Sequence, residues 1–245
     1  DIAPLEAVDE LDVSYVSNIS QFGDPDVVII PGSKNTISDL LWMRQNGLEG
    51  KILRHAAKGG IVFGICGGYQ MLGQSISDPT GAEQKGTVRG MGLLPVTTVF
   101  EQEKRRTRVS GRFAKVGGAL AEMSGVCYEG YEIHMGRTVL SKGTVPLVYM
   151  EEEGEQRQDG AQSDHVYGCY MHGIFDMSET VKTFLAAVLR KKGIDPSKIT
   201  VRDRNAYKEE QYDRLASIVR ENLNMEAVYK IIEKGNEASC SLLSE

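Results

Sequence analysis

The sequence predicts an α/β fold: a doubly wound, mainly parallel sheet with flanking helices and a helical C-terminal segment. Two continuous apolar runs, Val27-Val28-Ile29-Ile30 and Ile61-Val62-Phe63-Gly64-Ile65, have the character of strands buried on both faces of a parallel sheet. Each run gives way to a glycine-bearing turn and then to a helical pattern, the alternation expected of this class. Such sheets collect ligands at the C-terminal ends of their strands, so the two turns are expected to converge on one site.

In chain order, Leu11 to Val16 reads as a first strand, followed by a polar turn through Gly23, Asp24 and Pro25. After Val27 to Ile30 comes Pro31-Gly32-Ser33-Lys34-Asn35-Thr36, then a helix over Asp39 to Asn46 stopped by Gly47. A second helix, Leu48 to Lys58, ends at Gly59-Gly60 and leads into the strand before Cys66. The middle is more β-like: Leu93 to Phe100, Thr107 to Phe113, Val126 to His134 and Thr138 to Leu140 read as strands. The charged stretch Glu101 to Arg106 and Gly117-Gly118 read as loops, and Glu151-Glu152-Glu153-Gly154 as a solvated hairpin tip. Val166 to Met171 forms a strand that delivers His172. After Ser178, Val181, Phe184, Leu185, Val188 and Leu189 fall at helical spacing until Gly193. Tyr212 to Leu223 and Met225 to Lys234 complete the helical end.

The 245 residues bury a sizeable core as one large domain, or as one domain with an appendage. A net charge of -6 and the lack of a basic, aromatic-laced stripe argue against nucleic acid as a partner. No apolar run approaches the roughly 18 residues of a membrane helix. Four scattered cysteines do not form a disulfide framework, which suits a reducing compartment and an expected cytoplasmic location. Cys169 and His172 are three apart on a strand and would point to opposite faces; with no second spaced pair, no metal is expected.

The chemistry centres on Gly64-Ile65-Cys66-Gly67-Gly68, which has the pattern of a nucleophile elbow. A sharp turn between strand and helix exposes the sulfur, and the flanking glycines leave room for a strained backbone and a close substrate. A helix N-terminus beside the sulfur favours negative charge there. The alternative is a buried cysteine in a glycine-rich turn. A thiol nucleophile needs a base. Of the four histidines, His55 and His165 lie in surface contexts, whereas His134 and His172 stand at strand ends beside glycines. His172 is the better base, because a late strand beside the elbow strand brings it within hydrogen-bond reach.

Four runs appear together and in order: Ile30-Pro31-Gly32-Ser33-Lys34-Asn35-Thr36, Gly64-Ile65-Cys66-Gly67-Gly68-Tyr69-Gln70, Gly130-Tyr131-Glu132-Ile133-His134-Met135-Gly136 and Tyr170-Met171-His172-Gly173-Ile174-Phe175-Asp176. From about Leu11 to Glu233 the chain resembles the glutamine amidotransferase domain of cobyric acid synthases, in the cobyrinate-amidating branch of class I. The helix carrying Tyr212-Asp213-Arg214-Leu215-Ala216 is also similar to that family's end.

The resemblance implies a flavodoxin-like glutaminase domain. Cys66 attacks the glutamine side-chain amide, and ammonia passes to an ATP-using synthetase domain that amidates side-chain carboxylates of a corrinoid. No cofactor is expected in this chain. It contains no G-x-x-x-x-G-K-[ST] run, so ATP and Mg belong to the synthetase domain, expected on N-terminal sequence of the same polypeptide. Residues 1–10 then read as a linker from that domain, residues 11–200 as the amidotransferase domain, 201–234 as helices packed on it, and 235–245 as a flexible tail.

The resemblance also assigns roles. His172 is acid and base, Gly67, Gly32 and Ser33 supply the oxyanion hole, and Gln70 braces the pocket. Arg137 is the candidate cation for the α-carboxylate of glutamine, and Glu132 for its α-ammonium. One departure stands out. Many class I members carry His-Pro-Glu, whose glutamate orients the histidine; here that position is Ile174. Asp176 could substitute; otherwise the site is a Cys-His dyad with Glu132 or a backbone carbonyl orienting His172. Two other readings stay open: a class I subunit for cobyrinate a,c-diamide synthesis or cell-wall lipid amidation, and a catalytically silent module.

Overall fold

The computed structural model describes residues 1–152, 155–201 and 204–241. They divide into two compact units, Asp1–Val201 and Arg202–Glu245.

The first unit is built on two sheets. The smaller contains β1 (Val27–Ile30), β2 (Ile61–Ile65), β9 (Ala161–Ser163) and β10 (Val166–Cys169) in the order β1-β2-β10-β9. β1, β2 and β10 run parallel, and β9 is antiparallel at the edge. Their apolar runs follow from this placement: all of β2 and β10 is buried, and a strand covered on both faces has no polar side to offer. The register places Ile30 beside Gly64 and Gly64 beside Gly168. The three strands therefore end level, and the turns after them begin at one edge of the sheet.

Helices flank this sheet. α1 (Ala3–Glu6) precedes β1, while α2 (Thr36–Gln45) and α3 (Leu48–Ala57) separate β1 from β2. α4 (Gly67–Leu72) leaves the elbow directly, and α5 (Ser178–Lys191) follows β10. α5 buries Val181, Phe184, Leu185 and Val188, the stripe its spacing predicts. Gly47, at φ 76°, starts α3 in a left-handed conformation that glycine adopts without strain.

The second sheet holds β3 (Ser75–Asp78), β4 (Gly86–Arg89), β5 (Val96–Phe113), β6 (Cys127–Leu140), β7 (Val148–Glu152) and β8 (Glu155–Asp159). Only the β3–β5 pairing is parallel. Glu101 to Arg106, expected as a loop, lies inside one long strand, and Val126 to His134 and Thr138 to Leu140 merge in another. The two long strands pair along most of their length, with a register shift between Phe100 and Arg105. Charged side chains on an open face do not break a ladder when the partner strand is present. β7 and β8 pair out to Glu152 and Glu155; Glu153 and Gly154 of the expected hairpin tip lie outside the described residues.

Two further expectations change. Leu11 to Val16 joins no sheet. Leu11, Val13 and Val16 instead pack their side chains against the core. Residues 1–10, expected as a linker, belong to the first unit, where Leu5 and Val8 are buried.

The second unit contains α6 (Arg204–Asn222) and α7 (Met225–Ser241). α7 continues through Gly235, where the sequence reading placed the start of a tail. No helix among the described residues is long and apolar enough to cross a membrane.

Candidate active site

Cys66 sits between β2 and α4 with φ 52° and ψ −108°, one of two described non-glycine residues with positive φ. A side chain rarely tolerates this backbone, and the surrounding contacts enforce it. The Cys66 N–H donates to Cys169 O at 2.9 Å, tying the turn to β10. Gly68 backs against β1 so closely that a Cβ there would lie 2.0 Å from Ile30 O, and one on Gly64 would lie 2.7 Å from Tyr69 N. The two elbow glycines are thus explained by strand-to-helix packing. Cys66 is 5% exposed, and its thiol points to Ile133 O on β6 at 3.7 Å.

The turns after the three parallel strands meet as their register requires. A methyl group on Gly32 would lie 2.7 Å from His172 Cε1, 3.5 Å from His172 Nε2 and 3.7 Å from Cys66 Cβ. The His172 imidazole and Cys66 therefore flank the same small gap, which exists because residue 32 has no side chain. On the other side, a Cβ on Gly67 would lie 2.8 Å from Ser33 N. The Ser33 main chain faces the elbow, while its hydroxyl donates to Asp39 and accepts from Asn35 N. Cys66, His172, Gly67, Gly32 and Ser33 thus come together.

Gln70 lies one turn into α4, buried. Its Oε1 accepts from Thr36 Oγ1 at 3.2 Å, and its Nε2 donates to Tyr170 OH at 3.1 Å. Tyr170 OH also bonds Thr138 Oγ1 at 2.6 Å, and its ring stacks on His134 with centroids 3.7 Å apart. Gln70 thereby links the glycine turn, the elbow helix and β6. His134 is a packing residue, bonded through Nδ1 to Gly136 O at 2.8 Å.

Glu132 is buried among cations of its own chain. Its side chain is 0% exposed, and its Oε2 accepts from Arg157 at 2.6 Å and pairs with Arg105 at 3.0 Å. His134 Nε2 stands 3.7 Å from the other oxygen, longer than a hydrogen bond. Burial pushes the Glu132 carboxyl up, but His134 and Arg157 outweigh it and hold it down at about 2. Arg137 is exposed on β6, opposite Val99. It is four residues beyond Ile133, roughly 13 Å along an extended strand.

The carboxylate on His172 is a different one from those the sequence suggested. Asp1 Oδ2 lies 2.8 Å from His172 Nδ1, and Asp1 Oδ1 accepts the Gly173 N–H at 2.8 Å. Asp176 belongs to the turn after the histidine, where its N–H donates to Gly173 O. Tyr131 is a second unforeseen neighbour: its ring stacks on the imidazole, and the two main chains exchange both hydrogen bonds. No local pattern marks Asp1, since the contact spans 171 positions. Tyr131 had a signal in its place beside Gly130, where a Cβ would lie 2.1 Å from His172 O.

This geometry can run covalent acyl chemistry: a thiol on a strained turn, an imidazole across a gap, and the Ser33 main-chain nitrogen beside the elbow. Residues 1–180 match the model of the CobB/CobQ-like glutamine amidotransferase domain. The chain is 50% identical over 241 residues to a protein named cobyric acid synthase from Ruminiclostridium cellulolyticum, covering 97% of this chain and 47% of that one. It is 42% identical to a cobyric acid synthase from Lachnoclostridium phytofermentans, covering 96% and 48%. The chain therefore spans about half the length of these relatives. Among solved structures, a glutamine amidotransferase matches with a TM-score of 0.53 at 16% identity, over 79% of this chain and 90% of that one. PurLQS from Thermotoga maritima matches with a TM-score of 0.53 at 18% identity, over 73% and 85%. These two likenesses concern the fold.

Proposed function

Since the chain belongs to the CobB/CobQ-like glutamine amidotransferase family, we propose that it hydrolyses glutamine at Cys66 and supplies ammonia to an ATP-dependent synthetase domain. That domain, with its ATP and Mg, would lie in sequence outside this chain and amidate side-chain carboxylates of a corrinoid, the chemistry of cobyric acid synthesis. The observation that carries the reading is the pairing of the strained Cys66 turn with the His172 imidazole across the Gly32 gap.

In the first half-reaction His172 Nε2 takes the thiol proton, and Sγ attacks the side-chain carbonyl carbon of glutamine. A C–S bond forms and the carbonyl π electrons move to oxygen. The Gly67 and Ser33 N–H groups, with the Gly32 turn, stabilise that oxyanion; one donor in such a hole contributes about 3 kcal/mol. The imidazolium returns its proton to the amide nitrogen, the C–N bond breaks, and ammonia leaves. In the second half-reaction His172 deprotonates a water, which attacks the thioester and releases glutamate and the thiol. Gln70 keeps the glycine turn and elbow helix in register. The corrinoid acceptor is proposed from the relatives' names, which favour cobyric acid synthesis over a,c-diamide formation or lipid amidation.

The test is alkylation by 6-diazo-5-oxo-L-norleucine, a glutamine analogue that reacts with amidotransferase thiols, with adducts mapped by mass spectrometry. One adduct on Cys66, absent in Cys66→Ser and slowed in His172→Ala, is the expected result. Labelling spread over Cys127 and Cys66 alike, or none at Cys66 with the synthetase domain present, would overturn the reading.

A further inference from the structure

The site contains a carboxylate that no family motif in the sequence marks. Asp1 grips the histidine loop at two points, with one oxygen on His172 Nδ1 and the other on the Gly173 N–H, both at 2.8 Å. This bidentate arrangement fixes the ring's rotation and its height above the sheet together. It is also shielded, the side chains of His172 and Asp1 being 13% and 15% exposed.

Asp1 is held in place. Pro4 occupies the first turn of α1, Leu5 and Val8 are buried, and the Leu5 and Glu6 N–H groups both return to Ile2 O. Residue 1 is thus anchored by a short helix pinned to the core, which a frayed end would not provide. One face of the ring is stacked on Tyr131.

We propose that Asp1 is the positioning residue for His172, taking the place of the carboxylate that Ile174 does not supply. An ionised carboxylate only accepts hydrogen bonds. Nδ1 must therefore carry the ring proton, and in the neutral ring Nε2 is left with its lone pair directed at the gap shared with Cys66. Nε2 is the nitrogen that has to receive the thiol proton. Asp1 selects the productive tautomer and stabilises the imidazolium that follows, without itself touching glutamine. The inference rests on the glutaminase reading and adds to it the group that orients the base.

The experiment compares the wild-type chain with Asp1→Ala, Asp1→Asn and Asp1→Glu. Glutaminase kinetics and the rate of Cys66 alkylation are read together with the ¹⁵N spectrum of the His172 ring, assigned with His172→Ala. Asp1→Ala is expected to lower kcat about 10²-fold with little change in KM, to slow alkylation, and to abolish the preference for the Nδ1–H tautomer. Asp1→Glu should recover part of the rate and the tautomer. Unchanged melting of each variant separates these effects from loss of fold. A wild-type chain that is alkylated and turns over at the same rate as Asp1→Ala, with the tautomer unmoved, overturns the inference alone. A wild-type chain that does not react at Cys66 even with the synthetase domain present overturns the glutaminase reading and this inference with it.

Discussion

The rings of Tyr131 and His172 lie nearly parallel, 13° from coplanar orientation with centroids 5.1 Å apart. Their main chains are also joined by reciprocal hydrogen bonds at 3.1 and 2.9 Å. The long β6 strand of the second sheet therefore forms one wall of a site whose other parts come from the parallel sheet. Tyr131 is 47% exposed, so this contact orients the imidazole more than it adds buried apolar area.

Truncating that ring should loosen the base while leaving the fold intact. An aromatic contact of this kind contributes about 0.5–1.5 kcal/mol. Tyr131→Ala is expected to lower glutaminase kcat up to about 10-fold, and Tyr131→Phe to leave it nearly unchanged. Steady-state kinetics at saturating glutamine measure the difference.

Gly32 and Gly68 should respond differently to the same added methyl group. In Gly32→Ala the new carbon meets His172 Cε1 at 2.7 Å, a side-chain and not a main-chain contact, so the protein should fold with the ring forced off Asp1 and Tyr131 and lose activity. In Gly68→Ala it meets Ile30 O at 2.0 Å, a strand carbonyl in the core that has nowhere to move. Thermal melting should therefore show a near-native Gly32→Ala and a Gly68→Ala destabilised by about 3 kcal/mol. Equal melting points would contradict the packing described.

The backbone at Cys66 predicts a gain in stability from losing its side chain. At φ 52° a side chain is strained by roughly 1–3 kcal/mol, which glycine largely avoids. Cys66→Gly is expected to be inactive and more stable by about 1 kcal/mol, whereas Cys66→Ala is expected to be inactive with no such gain. Urea unfolding of both variants checks the contrast.

Glu132 gives the fold an acid-sensitive element. Its folded-state value of about 2 lies below the ordinary 4.5, so its contribution to stability is fully present above about 4.5. That contribution, on the order of 3 kcal/mol, is lost as pH falls from there toward 2. Glu132→Gln should be less stable at neutral pH and show a flatter stability profile over that window. Parallel profiles for the two proteins would show that the buried pair contributes no linkage.

The parts of this structure legible in the sequence are those written locally. β1, β2 and the elbow could be read because apolar runs and glycines within a few residues of each other determine them. That Cys66 and His172 would lie near one another could be read from their positions at the ends of neighbouring strands. What escaped depends on chain partners far away. Glu101 to Arg106 reads as a loop by its own charge but lies inside the long strand β5, which pairs with β6 on either side of an irregularity. Leu11 to Val16 alternates like a strand but finds no sheet edge. Glu132 looks available for a substrate until Arg105 and Arg157, brought in from β5 and β8, cover it. Asp1 has no sequence context that marks it; only folding places it on His172.

The strain at Cys66 also bears on how such a site would decay. Either cysteine codon becomes a glycine codon by a single base change, and that change removes the nucleophile while relaxing the backbone. Drift and stability therefore push in the same direction once selection for the chemistry lapses. A lineage that kept the fold only as a docking platform would be expected to carry glycine here soon after.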